Sequence, residues 1–225
     1  MKITYSKRKT FALVVDVKGT LIVRAPVGAT RRQVNEVVDA HRSWIEEKQA
    51  EALRKQQSQR TLRFEEGETF LFLGQRYPLT FTEKEIKPAL QLNGSFILAQ
   101  AYAPRAEAVF EAWYKIQARM IIAERVDHWA GANGLSYTTL RITSARTRWG
   151  SCSSKGSLNF SWRLVLAPLE VIDYVVVHEL AHLKQRNHSR AFWAEVETMM
   201  PDYRQHRRWL KENGHWLGLD RVEAI

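Results

Sequence analysis

Residues 178–182 read His178-Glu179-Leu180-Ala181-His182, and this stretch decides how the C-terminal half of the chain must fold. Four residues turn an α-helix by about 400°, so the two histidines return to nearly the same side. Both imidazoles can then reach one tetrahedral ion at roughly 2.0–2.1 Å. Glu179 lies about 100° further round, where a carboxylate can take a proton from water. The pattern predicts a helix with two metal ligands and a general base.

A chance histidine pair on an ordinary helix is the alternative interpretation. The residues around the pair are apolar, as in Val175, Val176 and Leu180, which indicates a buried helix. Unpaired buried polar groups are costly, so two histidines and a glutamate there need a function. Three consecutive valines favour a strand by intrinsic preference, but the motif is meaningful only on a helix, which Pro168 can open.

The third ligand is predicted to be His188, six residues after His182. This interval matches the HExxHxxGxxH pattern of zinc peptidases, although Gln185 replaces the glycine of that pattern. Asn187 tolerates left-handed geometry and is predicted to supply the turn. A carboxylate would complete a His-His-Glu set instead. The competing candidates are Glu195 and Glu197.

Hydrolysis also needs a group that stabilises developing negative charge. Arg148 is the favoured candidate and is predicted to be catalytic. Its alternative is a structural arginine that stacks on Trp149 or binds a carboxylate. The residues predicted to bind substrate are Arg146, Trp149, Tyr203 and His206.

These residues resemble a known family. Arg148-Trp149-Gly150-Ser151-Cys152, the strand Asn159 to Leu164, and the histidine motif through Phe192-Trp193 are similar to the YgjP-like metallopeptidase family, related to the SprT-like and minigluzincin proteins. The resemblance implies a zincin-like fold with an active-site helix on a small sheet. It implies His178, His182 and His188 as ligands of Zn²⁺ (or Mn²⁺ or another divalent ion). A nucleotide pyrophosphohydrolase activity, UTP to UMP and pyrophosphate, is also attached to the family.

Outside the motif, the order of periodic segments predicts an α+β fold. Residues 1–100 are predicted to be a basic, β-rich part with one helix from Thr30 to about Gln59, and residues 101–225 the catalytic domain. A second helix is expected from Pro104 to Ala130, and strands at 140–143, 146–150 and 158–166.

Composition narrows the class of protein. The 225 residues can bury a core, and no apolar run is long enough to span a membrane. With Cys152 as its single cysteine the chain is expected in the cytoplasm, where that thiol is predicted to be a small buried hydrophobe. The net charge is +10, and residues 1–60 hold 13 Lys and Arg against 6 Asp and Glu, so nucleic acid is a possible partner.

Three functions remain open on the sequence. The first is a zinc metallopeptidase that binds an extended peptide against an edge strand. The second is a metal-dependent nucleotide pyrophosphatase, favoured by the basic charge. The third is a nucleic-acid-binding module with a structural zinc, which the single cysteine disfavours because such sites usually use several cysteines.

Overall fold

The computed structural model describes residues 1–16, 19–57, 59–60, 62–219 and 222–223. Contacts divide the chain into two compact units, residues 1–60 with 223–225, and residues 61–222. Residues 61–100 fall within the second unit, several of them in its core, and the domain boundary expected at residue 100 stays a prediction. Of the helices described, none combines the length and the apolar character that crossing a bilayer requires.

The first unit is a small sheet with two helices. Its strands are β1 (Lys2–Ser6), β2 (Ala12–Val15) and β3 (Leu21–Pro26), with β3 in the middle, parallel to β1 and antiparallel to β2. Thr30 and Gln33 form a capping box that opens α1 (Arg31–Ala40). The single helix expected to Gln59 is wrong, because the chain breaks at His41 and continues as α2 (Arg42–Gln57), followed by β4 (Gln59–Arg60).

The second unit begins with a four-stranded sheet. Its strands are β5 (Thr69–Phe72), β6 (Gln75–Thr82), β7 (Leu90–Asn93) and β8 (Ser95–Ala99), in the order β5-β6-β8-β7. The turns between β5 and β6 and between β7 and β8 contain Gly74 and Gly94, with φ of 78° and 70°, values that glycine adopts without strain. A 3-10 segment, Gln100–Arg105, then leads into the long helix α3 (Ala106–Ala132).

A second sheet and three helices complete this unit. The strands are β9 (Thr139–Thr143), β10 (Gly150–Cys152) and β11 (Ser157–Ser161), in the order β10-β11-β9. Two predictions are wrong here. Residues 146–149 do not form a strand. The strand expected to reach residue 166 ends at Ser161, because residues 162–166 form a 3-10 turn. The remaining elements are α4 (Leu169–Ala181), α5 (Arg190–Met199), α6 (Tyr203–Asn213), a 3-10 turn (Gly214–Trp216) and β12 (Val222–Glu223).

Helix α4 is buried on nearly every side, which overrides the strand preference of its three valines. It packs against α3, and Asp173 of α4 accepts two hydrogen bonds from Arg125 of α3, at 2.6 and 2.8 Å. It also packs against α6, α5 and strand β10. The α+β prediction is confirmed, with the motif helix held between a long helix and a small sheet.

Candidate metal centre

The last turn of α4 carries the motif. His178 and Glu179 lie inside the helix, and His182 is its C-cap. The amides of Lys184 and Gln185 both donate to the carbonyl of Ala181, so the chain turns away directly after the second histidine. The predicted left-handed turn at Asn187 is wrong, since among the described non-glycine residues positive φ occurs at Phe64 and Leu73.

Helix α5 brings the third histidine to the other two. Ser189 caps α5 by accepting from the amide of Phe192, and His188 lies just before this cap. The buried Phe192 ring contacts all three imidazoles, with centroid distances of 4.9, 4.5 and 4.8 Å to His178, His182 and His188. Phe192 is therefore the apolar support of the cluster, a role for which the sequence carries no specific signal.

One nitrogen from each of His178, His182 and His188 lies within 4.8 Å of the others. The Nε2 atoms of His178 and His188 are 3.0 Å apart. Nitrogens bound to one tetrahedral ion at about 2.0–2.1 Å would lie roughly 3.3 Å apart. The spacing therefore suits a single ion.

The protonation of the imidazoles also suits a metal. His182 Nδ1 lies 3.0 Å from the carbonyl oxygen of Gln185, which fixes the proton on Nδ1 and leaves Nε2 as a free lone pair. The pKa of His178 is lowered to about 3, first by burial and then by His182, His188 and Arg207. Its ring is thus neutral, as a ligand must be. The buried Nδ1 of His178 has no hydrogen-bond partner.

The two glutamates that are the alternative candidates for the third ligand form ion pairs away from the histidines. Glu195 pairs with Lys184 at 2.9 Å, and Glu197 pairs with Arg204 at 3.1 Å. Neither joins the His178–His182–His188 cluster, which is the group of potential ligands found among the described residues.

Glu179 lies beside the cluster and is nearly buried, with 5% of its surface exposed. Burial raises the pKa of its carboxyl to about 8, although a hydrogen bond from the Cys152 backbone acts in the opposite direction. A Cβ on Gly150 would lie 2.6 Å from both Cγ and Oε1 of Glu179. Gly150 is therefore the residue that makes room for this carboxylate, and sequence reasoning missed it.

Strand β10 borders the same cleft with a free edge. Residues 149 and 153, which flank the strand, exchange hydrogen bonds with the β11 side: the Ser161 amide donates to the Trp149 carbonyl, and the Ser153 amide donates to the Ser157 carbonyl. In an antiparallel pair the alternate residues point their backbone groups the other way. Gly150 and Cys152 therefore direct their N–H and C=O groups away from the sheet, and the Cys152 backbone meets Glu179.

The side chain of Cys152 departs from the prediction of a fully buried hydrophobe. It is half-buried and lines the cleft with the histidines. Burial, followed by the nearby Glu179, raises the pKa of its thiol.

Arginines surround the cleft. Arg148 and Arg186 line it together with the three histidines and Glu179. Arg186 donates to the Ser154 carbonyl, whereas Arg148 has no ion pair or hydrogen bond within the described chain. Arg207 rests 4.4 Å above the Trp193 ring, which stacks on His188 at 6.0 Å. Arg186 and Arg207 were not predicted, because their proximity depends on how α5 and α6 fold back on α4.

The residues predicted to bind substrate occupy different places. Trp149 lines a second cavity next to the cleft, and Arg146 is exposed on the loop before it. Tyr203 is buried and stacks on Tyr174 and Trp193. His206 pairs with Asp202 on α6 at 3.1 Å. Their contact with substrate stays a prediction.

The family model described as YgjP-like, metallopeptidase domain matches residues 9–213. The chain belongs to the YgjP-like family. It is a metal-dependent hydrolase by that membership, and the histidine cluster is where the ion can bind.

Individual relatives add detail to the family assignment. The UTP pyrophosphatase of Escherichia coli (strain K12) is 33% identical over 66 residues, which are 29% of this chain and 40% of that protein. The match thus spans less than half of that relative's length. Among solved structures, the zymogen of Pyrococcus abyssi abylysin is 24% identical, with a TM-score of 0.37 over 40% of this chain and 93% of its own. The Methanocaldococcus jannaschii jannalysin zymogen is 18% identical, with a TM-score of 0.36 over 41% of this chain and 95% of its own.

Proposed function

We propose that this YgjP-like protein is a zinc-dependent hydrolase that cleaves peptide bonds, with Glu179 as the general base. The observation that carries the proposal is that the free edge of β10 and the histidine cluster border one cleft. An extended peptide can add to such an edge as a further strand. Its backbone would pair with the outward groups of Gly150 and with the carbonyl of Cys152, whose N–H already meets Glu179.

His178, His182 and His188 would hold the ion. A bound Zn²⁺ supplies Lewis acidity, which polarises the scissile carbonyl and makes a water molecule more acidic. With its Nδ1 at the Gln185 carbonyl, His182 would present Nε2 to the ion. Arg148 lines both the cleft and the cavity beside it, so its guanidinium would bind either the negative charge that develops on the substrate oxygen or another anionic group of the substrate.

Glu179 moves the proton. Its carboxylate takes a proton from the attacking water as the oxygen bonds to the carbonyl carbon. It then delivers this proton to the leaving nitrogen as the carbon–nitrogen bond breaks. Without an ion, burial raises the pKa of this carboxyl to about 8, and a bound cation beside it would lower that pKa toward the working pH, where a general base is most effective.

A second candidate is hydrolysis of a nucleoside triphosphate with release of pyrophosphate. Its support is the set of three guanidinium groups around the cleft, Arg148, Arg186 and Arg207, none with a carboxylate partner in the described chain. Guanidinium groups bind phosphate oxygens in a bidentate manner. The partial match to a UTP pyrophosphatase points the same way. Nucleic acid as a partner of the basic residues 1–60 rests on charge alone.

A turnover assay separates these candidates. The zinc-loaded and manganese-loaded protein is given unstructured peptides and, separately, UTP with detection of pyrophosphate. We expect peptide cleavage, and a loss of about 100-fold or more in Glu179→Gln. Glu170→Gln is the matched control, since Glu170 is exposed on the first turn of the same helix. Full activity in Glu179→Gln, or hydrolysis of UTP without any peptide, would contradict the proposal.

A further inference from the structure

We infer that the cavity next to the metal cleft is a specificity subsite that takes the acidic side chain of a peptide substrate. The inference rests on the proposed peptidase function and adds the class of substrate. The cavity has a volume of about 310 Å³, and Thr143, Arg148, Trp149, Ser151, Asn159 and Ser161 contribute to its lining.

This cavity adjoins the metal cleft. Arg148, Gly150 and Ser151 line both of them. The three residues belong to β10 or directly precede it, so the strand separates the cavity from the cleft along its length. A substrate lying along β10 can therefore place one group at the histidines and another in the cavity.

The register of the sheet indicates which side chain of a bound peptide would enter the cavity. Ser151 pairs with Asn159, and the Asn159 amide donates to Ser151 Oγ at 3.3 Å, so both side chains share one face of the sheet. Leu158 and Phe160 point to the opposite, buried face. Residues opposite each other in adjacent strands point to the same side. A peptide paired with β10 would thus direct the side chain opposite Ser151 into the cavity.

The chemistry of the lining favours an anion. No carboxylate lines the cavity, and Arg148 has no ion pair or hydrogen bond within the described chain. Asn159 donates one amide hydrogen to Ser151 and keeps a second. The hydroxyls of Thr143 and Ser161 donate to the carbonyls of Phe160 and Ala145. Arg148, the second amide hydrogen of Asn159 and the Ser151 hydroxyl remain as donors for a ligand, and a carboxylate can accept from all of them.

Peptide binding tests the subsite. The zinc-loaded Glu179→Gln protein, full length, is titrated with peptide pairs that differ at one position, Glu in one and Gln in the other. The varied position is moved along the peptide. We expect one position at which the Glu peptide binds about tenfold more tightly or better, since hydrogen bonds to a charged group are the strong class.

Variants at the cavity identify its residues. Arg148→Gln is expected to remove the preference for Glu, and Asn159→Ala to reduce it. Arg141→Gln is the matched control, because Arg141 is exposed on β9 and does not line the cavity. Equal affinity for Glu and Gln at every position would overturn the subsite, as would a preference that survives Arg148→Gln.

Turnover by the wild-type protein keeps the two proposals apart. If peptides are cleaved without any preference for Glu, the subsite is wrong and the peptidase proposal stands. If no peptide is bound or cleaved while UTP is hydrolysed, the peptidase proposal is wrong and the acidic subsite fails with it. An increased KM for UTP in Arg148→Gln would then assign this arginine to the phosphates.

Discussion

At the scale of single residues, the absence of a side chain at Gly150 leaves room for the Glu179 carboxyl. Its neighbour is the carboxyl of Glu179, so a methyl group at residue 150 has to push this carboxyl aside. We expect Gly150→Ala to lower kcat by about 100-fold, since misplacing a reacting group by about 1 Å has effects of that order. Zinc content, measured by atomic absorption, should stay unchanged because the atoms nearest to an added Cβ belong to Glu179 and not to the histidines.

Gly131→Ala is the control for this substitution. Gly131 lies in α3 with no atom within 4 Å of an added Cβ, and alanine is the better helix former by about 1 kcal/mol. Activity should stay at the wild-type level in this variant. A Gly150→Ala protein with wild-type kcat would show that the Glu179 carboxyl tolerates displacement.

Glu179 also determines how the stability of the metal-free protein depends on pH. The pKa of its carboxyl is about 8 in the folded state against an ordinary value of 4.5, so folding favours the protonated form. This stabilisation is complete below pH 4.5 and is lost as the pH rises through 8. We expect the free energy of unfolding, from urea titrations in EDTA, to fall between pH 5 and pH 8. In Glu179→Gln the fall should largely disappear, and parallel curves for the two proteins would contradict the assignment.

His178 makes the stability of the metal-free protein depend on pH in the opposite direction. Its pKa is about 3 in the folded protein against an ordinary 6.5, so the unfolded chain binds the proton more readily. The neutral ring stabilises the fold above pH 6.5, and that contribution is lost as the pH falls toward 3. The same titrations, extended to acid with His178→Phe for comparison, should show a smaller acid loss in the variant.

At the scale of elements, the attachment of α4 to α3 depends on the ion pair of Arg125 and Asp173. Both side chains are mostly buried, with 19% and 10% exposed, and the pairing is bidentate. Removing one partner leaves a buried charge unpaired, which costs about 3–5 kcal/mol. We expect Arg125→Ala to destabilise the protein by about 3 kcal/mol in urea unfolding.

Two comparisons make this prediction specific. The double variant Arg125→Met with Asp173→Leu should recover most of the loss, since it leaves no unpaired charge. Arg32→Ala removes a pair with Glu36 whose side chains are 89% and 60% exposed, and should change stability by less than about 0.5 kcal/mol. A loss in Arg125→Ala no larger than in Arg32→Ala would refute a structural role for the buried pair.

At the scale of the whole molecule, metal binding and folding should be coupled. The three ligands come from the end of α4 and the segment before α5, so an ion bound to all three joins these elements. A ligand at a thousandfold excess over its Kd stabilises the folded state by about 4 kcal/mol. We expect Zn²⁺ to raise the Tm by several degrees in calorimetry and EDTA to reverse the shift. His182→Ala should abolish the zinc effect, and an undiminished shift in that variant would place the ion elsewhere.

Relations between residues that are close in the chain could be predicted from the sequence of this protein. The spacing of His178 and His182 predicts a shared helix face, Glu179 follows from the helical angle, and the cap at Ser189 is readable from its residue type. These are short-range relations, governed by backbone geometry and hydrogen bonds within a few residues. The break at His41 and the end of β11 at Ser161 were missed, because apolar periodicity does not mark where tertiary packing interrupts an element.

The tertiary structure decided what lies across the cleft from α4. Three contacts of the site could not be read from the sequence: Gly150 with Glu179, Phe192 with the histidines, and Arg186 and Arg207 beside the histidines. The number of residues between two segments does not say how far apart they lie in the folded chain. The tertiary structure also placed Glu195 and Glu197 in ion pairs and brought His188 to the cluster, a choice that the sequence had left open. The physical reason is that such contacts depend on how α4, α5 and β10 pack around one core, and packing is a property of the whole unit.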